Sequence, residues 1–203
     1  MAKYLATGLT LEYAPATTIA AAASLPAATL TVGDTTNFPS TGNLSVGSST
    51  IAYTGKTGTT FTGCTGGTGS VAVGDRIAST TYTNLSAFSN SLSVEQSLEE
   101  VDITAYGTVD KLYMAGLRDG TFSFNVMYDD GVWAQTPQGL LNSLLNRAAA
   151  WRIRPLGAGS AKPEISFDGF IVGLTENFAN DSSAVGAEIS IRNSTAVTRT
   201  TQS

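Results

Sequence analysis

The sequence predicts a mainly β protein: an antiparallel β-sandwich or barrel with one flanking α-helix and a small all-β insertion. Apolar and polar residues alternate through 121–128 and again through 185–193, as they do in strands that bury one face. Residues 16–80 are rich in Thr, Gly, Ser and Ala and contain short alternating segments between turn residues. One segment, which follows Pro137, instead has leucines at helical spacing.

The charge distribution divides the chain into two parts. Between residues 16 and 80 only four side chains are charged, those of Asp34, Lys56, Asp75 and Arg76, whereas charges and aromatic residues are frequent from residue 81 onward. We interpret 16–80 as a β module that is inserted into a main domain formed by 1–15 and 81–203. Within the insert, the pattern predicts strands at 29–32 and 59–62 and a hairpin of 43–46 with 50–53, with helical character only at 20–23.

The main domain is predicted to contain strands at 5–13, 88–104, 121–128, 151–154, 165–178 and 185–193. In the second of these, Val101 and Ile103 have the opposite parity to the apolar residues before them, which predicts a β-bulge or bend near Glu99-Glu100. Residues 105–120 contain three glycines and predict a loop. Thr136 is a suitable N-cap for a helix that runs from Pro137 to about residue 149.

The composition argues against several kinds of function. The chain has no histidine and one cysteine, so it lacks the most common general base and metal ligand and cannot form an internal disulfide. Its net charge of −5 disfavours tight nucleic-acid binding. No apolar stretch approaches the roughly 20 residues of a membrane span. We therefore expect no catalytic residues, no cofactor, no metal and no membrane partner, and we do not expect an enzyme.

Several motifs follow one another along the main domain. They are SVEQSLEEVDIT at 93–104, AGLRDGTFSF at 115–124, YD at 128–129, the leucine-rich segment, the basic strand 151–154, and strands near 167–175 and 188–191. Their order and spacing resemble the major tail proteins, or tail-tube proteins, of long-tailed, non-contractile phages. The resemblance covers about 1–15 and 81–195.

The resemblance implies the tail-tube fold and a structural function. In that family, hexameric rings stack into a hollow tube, and each subunit contributes about four strands to a closed β-barrel that forms the inner wall. The tube conducts DNA from the capsid to the host cell without binding it specifically. The implied partners are further copies of the subunit and the tape measure, tail terminator and distal tail proteins. The implied location is the virion tail, after synthesis in the cytoplasm of the host cell.

Two groups of residues are candidates for roles in such a tube. Glu95 and Glu99 share parity in one strand, and Ser123 and Asn125 lie on the polar face of the next, so these four are expected to face the lumen, where acidic groups repel DNA phosphates. The loop 105–119 is expected to contact a neighbouring subunit, because it is rich in residue types that are enriched at interfaces. Its candidate contact residues are Tyr106, Asp110, Lys111, Tyr113, Met114 and Arg118.

The inserted module has a resemblance of its own. Its segments ATLTV at 28–32, NFP at 37–39, IAYTG at 51–55 and FTGCT at 61–65 resemble a small β module that recurs in phage structural proteins. Gly66 stands where that module usually has a basic residue. As an insert in a tube subunit, the module is expected on the outer surface.

Two other functions remain alternatives at this point. The tubes of contractile tails and of secretion or injection devices have the same fold as the proteins that the main domain resembles. A surface adhesin or carbohydrate-binding β protein is the other alternative, suggested by the Thr- and Gly-rich insert. Glycan sites usually present clustered aromatic side chains, and the insert has only Tyr53, Phe38 and Phe61, which we expect in its core.

Overall fold

A computed structural model describes residues 8–89, 91–106, 110–127, 143–145, 147–177 and 186–202. Seventeen β-strands lie within these residues. In chain order they are β1 (Thr10–Thr18), β2 (Ala23–Leu25), β3 (Thr29–Thr31), β4 (Gly42–Val46), β5 (Ser49–Tyr53), β6 (Gly55–Lys56), β7 (Thr60–Thr62), β8 (Thr65–Gly66), β9 (Gly69–Val71), β10 (Arg76–Ser79), β11 (Thr83–Asn84), β12 (Leu92–Asp102), β13 (Tyr113–Met127), β14 (Ala149–Arg154), β15 (Pro163–Asn177), β16 (Gly186–Asn193) and β17 (Thr198–Thr201).

Twelve of the strands form one antiparallel sheet, so the predicted mainly β, antiparallel class is confirmed. The order along the sheet is β12-β13-β16-β15-β14-β1-β10-β4-β5-β8, with β11 paired to β1 and β17 paired to β15. The remaining strands of the insert form two small sheets, β2-β9 and β3-β7-β6. The large sheet runs from β12 to β8 without closing. The expectation of a closed barrel is therefore not met within one chain, because β12 pairs only with β13 among the described strands.

One face of the main-domain strands buries a large hydrophobic cluster, which we call the large cluster. The alternation predicted for 121–128 is confirmed where it is described, because Phe122, Phe124 and Val126 are all buried. The Phe122 ring stacks on that of Phe167 at 3.8 Å, and Trp151 lies against Phe124 at 6.1 Å. Stacked and tilted aromatic pairs of this kind add to the free energy of area burial.

The insert buries a second hydrophobic cluster, the insert cluster, centred on Phe61. The Phe61 ring contacts those of Phe38 and Tyr53 at 5.0 and 4.7 Å. The predicted hairpin is confirmed as β4 and β5, with Gly47 at positive φ in the turn. The expectation of helical character at 20–23 is wrong, because the Ala20 N–H donates to the carbonyl of Thr31 and Ala23 lies in β2.

The strand β1 runs across the predicted boundary between residues 15 and 16. Its first part, 10–15, pairs with β14, and its last part, 16–18, pairs with β10. At the crossing, the small side chains of Ala14, Ala78 and Ala150 pack together between the two clusters. The predicted first strand at 5–13 is thus displaced along the chain, since β1 occupies Thr10–Thr18 and residues 5–7 lie outside the described part.

Two other predicted elements need correction. The helix from Pro137 to about 149 falls mostly outside the described residues, and its predicted end is wrong because Ala149 begins β14 and pairs with Pro15 and Gly169. The predicted loop at 105–120 is wrong from residue 113 onward, because Tyr113–Met127 is one continuous strand. Pairing with β12 explains this, since an extended partner stabilises a strand whose own sequence has two glycines.

Tyr13 provides a test of the large cluster in alkaline solution. Burial raises the pKa of Tyr13 to about 12, against a smaller opposing effect of its side-chain hydrogen bond with Thr83. The unfolded chain loses this proton from about pH 10, while the folded chain keeps it to about pH 12, so the free energy of unfolding falls as pH rises through this window. We expect a loss of about 2 to 3 kcal/mol by pH 12.

The measurement is urea unfolding at a series of alkaline pH values, with Tyr13→Phe as the comparison. The free energy of unfolding of the phenylalanine variant should not show the fall that ionisation of Tyr13 causes. Parallel curves for the wild type and Tyr13→Phe would contradict the assignment.

Candidate assembly interface

The strands β12 and β13 form a hairpin that extends beyond the rest of the sheet. On its other side β13 pairs with β16, but only from Thr121 to Met127. Residues 113–120 therefore pair with β12 alone. We call this outer part of the hairpin, residues 95–106 and 110–120, the ribbon. At about 3.3 Å per residue, the seven steps from Glu95 to Asp102 span roughly 23 Å.

The ribbon contains the bulge that the sequence predicts near Glu99-Glu100. The register shifts between the pairs of Leu98 and Glu100, so the location is confirmed. The extra residue lies in β13, where Gly116 and Leu117 together oppose Glu99. A Cβ on Gly116 would lie 2.9 Å from the carbonyl oxygen of Glu99, so a side chain there would push the two strands apart. Bulges increase the local twist of the strands that contain them.

The ribbon exposes an unusual amount of apolar surface. Twelve large hydrophobic residues are exposed among the described residues, and eight of them lie between 98 and 117. These eight are Leu98, Val101, Ile103, Tyr106, Leu112, Tyr113, Met114 and Leu117. Such a concentration of exposed apolar side chains in one hairpin is typical of a surface that another protein covers.

Three of the predicted contact residues lie in the segment that connects β12 to β13, and the other three lie in β13. Tyr106, Asp110 and Lys111 lie in the connection after β12, as predicted, and are exposed. Tyr113, Met114 and Arg118 lie in β13 instead of a loop, and are exposed as well. Leu98 and Leu117 were not among the predicted contact residues, although the parity of Val101 already marked this region as unusual.

The four predicted lumen residues lie on one face of the sheet. The register pairs Ser93 with Ser123 and Glu95 with Thr121, while Phe122 and Phe124 point to the large cluster on the opposite face. The extra bulge residue is in β13, so the parity of β12 is unbroken from Glu95 to Glu99. Glu95, Glu99 and Asn125 are exposed and Ser123 is partly exposed.

The strand β16 adds polar residues to this face that were not among the predicted lumen residues. Its Glu188, Ser190 and Arg192 pair with Asn125, Ser123 and Thr121. Arg192 donates to the carboxylate of Asp119 at 2.8 Å. The alternation of 185–193 already separated these residues from the apolar ones, but only the strand order reveals that they neighbour β13. We call this surface of β12, β13 and β16 the polar face.

The other functional classes can be compared with the described residues. Phe38, Tyr53 and Phe61 are buried in the insert cluster and cannot stack on a sugar ring. Across the described residues, His, Cys, Asp and Glu form no group of three that could hold a metal ion. The same part of the chain contains no helix with the length and apolar character to span a membrane.

Comparison with solved structures yields distant similarity in fold. No protein-family model and no curated protein matches the sequence. The fold is similar to that of a chain in the virion of a native gene transfer agent particle, with a TM-score of 0.45 and 11% sequence identity. The similarity covers 59% of this chain and 88% of that one. The function is therefore inferred from this chain's own motifs and geometry.

Proposed function

We propose that this protein is a structural subunit of a phage-type tail tube. The observation that carries the proposal is the ribbon, which extends past its own sheet, exposes eight large apolar residues and has β12 as the end strand of the sheet. A strand edge and an apolar surface of this kind would aggregate unless they were covered. Pairing with the strands of neighbouring copies covers both at once, and repetition around a ring closes the barrel that one chain leaves open.

In our proposal, the two faces of the sheet correspond to the inner and outer surfaces of the tube wall. The polar face carries mostly polar side chains, among them Glu95, Glu99, Ser123 and Asn125, and in our proposal it lines the lumen. Acidic groups there repel DNA phosphates, so DNA passes without adhering. In the same proposal the module 16–80 lies on the outer surface, and the partners are copies of the chain together with the tape measure, terminator and distal tail proteins of a virion tail.

Negative-stain electron microscopy of the purified full chain tests this function. We expect hollow rings or tubes of uniform diameter, with six subunits around each ring. Tubes surrounded by a sheath in particles from the source would assign the chain to a contractile device instead. A compact particle that stays monomeric at every concentration would contradict the proposal.

The lumen assignment predicts a defect in DNA passage. Changing Glu95→Lys together with Glu99→Lys places cations on the wall, which attract DNA phosphates. We expect tails of normal length whose DNA release, followed by fluorescence of a DNA-binding dye, slows by roughly tenfold or more at low salt. Ser48→Lys with Thr59→Lys, at exposed positions of the insert, is the matched control and should release DNA normally. Normal release by the glutamate variant in intact tails would refute the lumen assignment.

A further inference from the structure

Most of the basic side chains that the structure describes have polar partners within the chain. Every one of the seven arginines lies in the described part, and five of them form ion pairs, with partners such as Glu12, Asp34 and Asp168. A sixth, Arg199, donates to the side-chain oxygen of Gln96. Lys56 and Lys162 donate to backbone carbonyls at 2.7 and 3.0 Å.

Arg118 is the exception among the arginines. No hydrogen bond or ion pair joins it to any residue that the structure describes, and it is exposed on the ribbon. Glu100, also on the ribbon, is exposed and likewise has no polar partner in the described part. A guanidinium is the side chain best suited to bind a carboxylate through two hydrogen bonds, so an exposed and unused one in an apolar setting indicates a partner outside the chain.

Arg118 and Glu100 lie on the same face of the ribbon but on opposite sides of the bulge. The register pairs Arg118 with Leu98 and Glu100 with Ala115, and the extra residue of β13 lies between these pairs. The bulge separates the two charges along the ribbon, and no ion pair forms between them. Leu98 and Tyr113 occupy the same face and are about half exposed. One face therefore presents a cation, an anion and apolar side chains together.

We propose that Arg118 of one copy forms a salt bridge with Glu100 of the next copy. The inference rests on the proposed function, because it identifies the partner of the ribbon as a second copy of this chain in head-to-tail contact. Each copy then donates one guanidinium and one carboxylate to different neighbours, which is the arrangement that a ring requires. The neighbouring apolar residues exclude water around the pair, so like charges placed there would strongly oppose assembly.

Charge reversal in the full-length chain tests the contact. We would measure the critical concentration for assembly by light scattering for Arg118→Glu, for Glu100→Arg and for the double variant. Each single reversal should raise the critical concentration by about tenfold or more, and the double variant should return to within about threefold of the wild type. Arg118→Lys keeps the positive charge, so its critical concentration should rise less than that of Arg118→Glu. Thermal melting of each variant monitors folding separately from assembly.

Mixing the two single variants distinguishes a contact between copies from one within a copy. In an equimolar mixture, alternating copies place opposite charges at every contact, so the mixture should assemble although neither variant does so alone. Such rescue requires an even number of subunits in the ring. Single variants that assemble like the wild type, or a mixture that assembles no better than its components, would overturn the salt bridge while leaving the tube function intact. A wild-type protein that never assembles would overturn both.

Discussion

Replacing Leu98, Met114 and Leu117 together by serine will leave a folded protein that no longer forms rings or tubes at ordinary concentrations. These side chains are 48%, 54% and 79% exposed in the single chain, so their removal costs little folding free energy. In the assembly we propose, a neighbouring copy covers them. At about 1 kcal/mol of apolar burial for each half-exposed side chain, the loss of about 3 kcal/mol corresponds to a roughly hundredfold higher critical concentration.

The experiment compares critical concentration with melting temperature for the same variant. We expect the melting temperature of the triple variant to stay within about 2 °C of the wild type. Val73→Ser with Val172→Ser is a suitable control, because these residues are 66% and 52% exposed and lie outside the ribbon. The control should assemble normally. Tubes formed by the triple variant at wild-type concentrations would show that the apolar ribbon is not the interface.

Replacing Phe61 by alanine will destabilise the insert far more than the main-domain sheet. Phe61 is fully buried and touches the rings of Phe38 and Tyr53, so its truncation leaves a cavity at the centre of the insert cluster. Substitutions of this kind cost about 3 to 5 kcal/mol. We propose that 16–80 is a folding unit of its own, since its hydrophobic cluster shares no buried residue with the large cluster.

Native-state hydrogen exchange can follow the two clusters separately. Amides of β4, β5 and β7 should exchange about a hundredfold faster or more in Phe61→Ala, while amides of β13 and β16 should keep their protection. Phe61→Leu, which retains most of the side-chain volume, should show a much smaller change. Equal acceleration in both regions would mean that the insert and the main-domain sheet unfold together, and that 16–80 is not a separate unit.

Much of the strand structure could be predicted because it depends on alternation within a few residues. Phe122, Phe124 and Val126 alternate with polar residues, and the structure buries all three. The change of parity between Leu98 and Val101 coincides with the bulge, but the extra residue lies in β13, so the alternation of β12 continues and Val101 lies on the opposite face from Leu98.

The position of the ribbon could not be predicted from local patterns. Residues 113–120 contain glycines and no clear alternation, and they are a strand because β12 lies beside them. The four lumen candidates fall on one face as the parity implies, and their role stays a prediction. The end of the leucine-rich segment was misjudged because helical spacing gives no sign that Ala149 pairs with both β1 and β15.

The sequence by itself determined that this is an antiparallel β protein with a neutral, hydroxyl-rich insert, because side-chain alternation and composition are local properties. The tertiary structure decided which charges are satisfied and which are not. Arg118 is indistinguishable in sequence from the arginines that form internal ion pairs, and only the strand order places it on a ribbon where none of the described residues pairs with it. Ion pairs depend on distances between residues far apart in the chain, and those distances exist only once the sheet has formed.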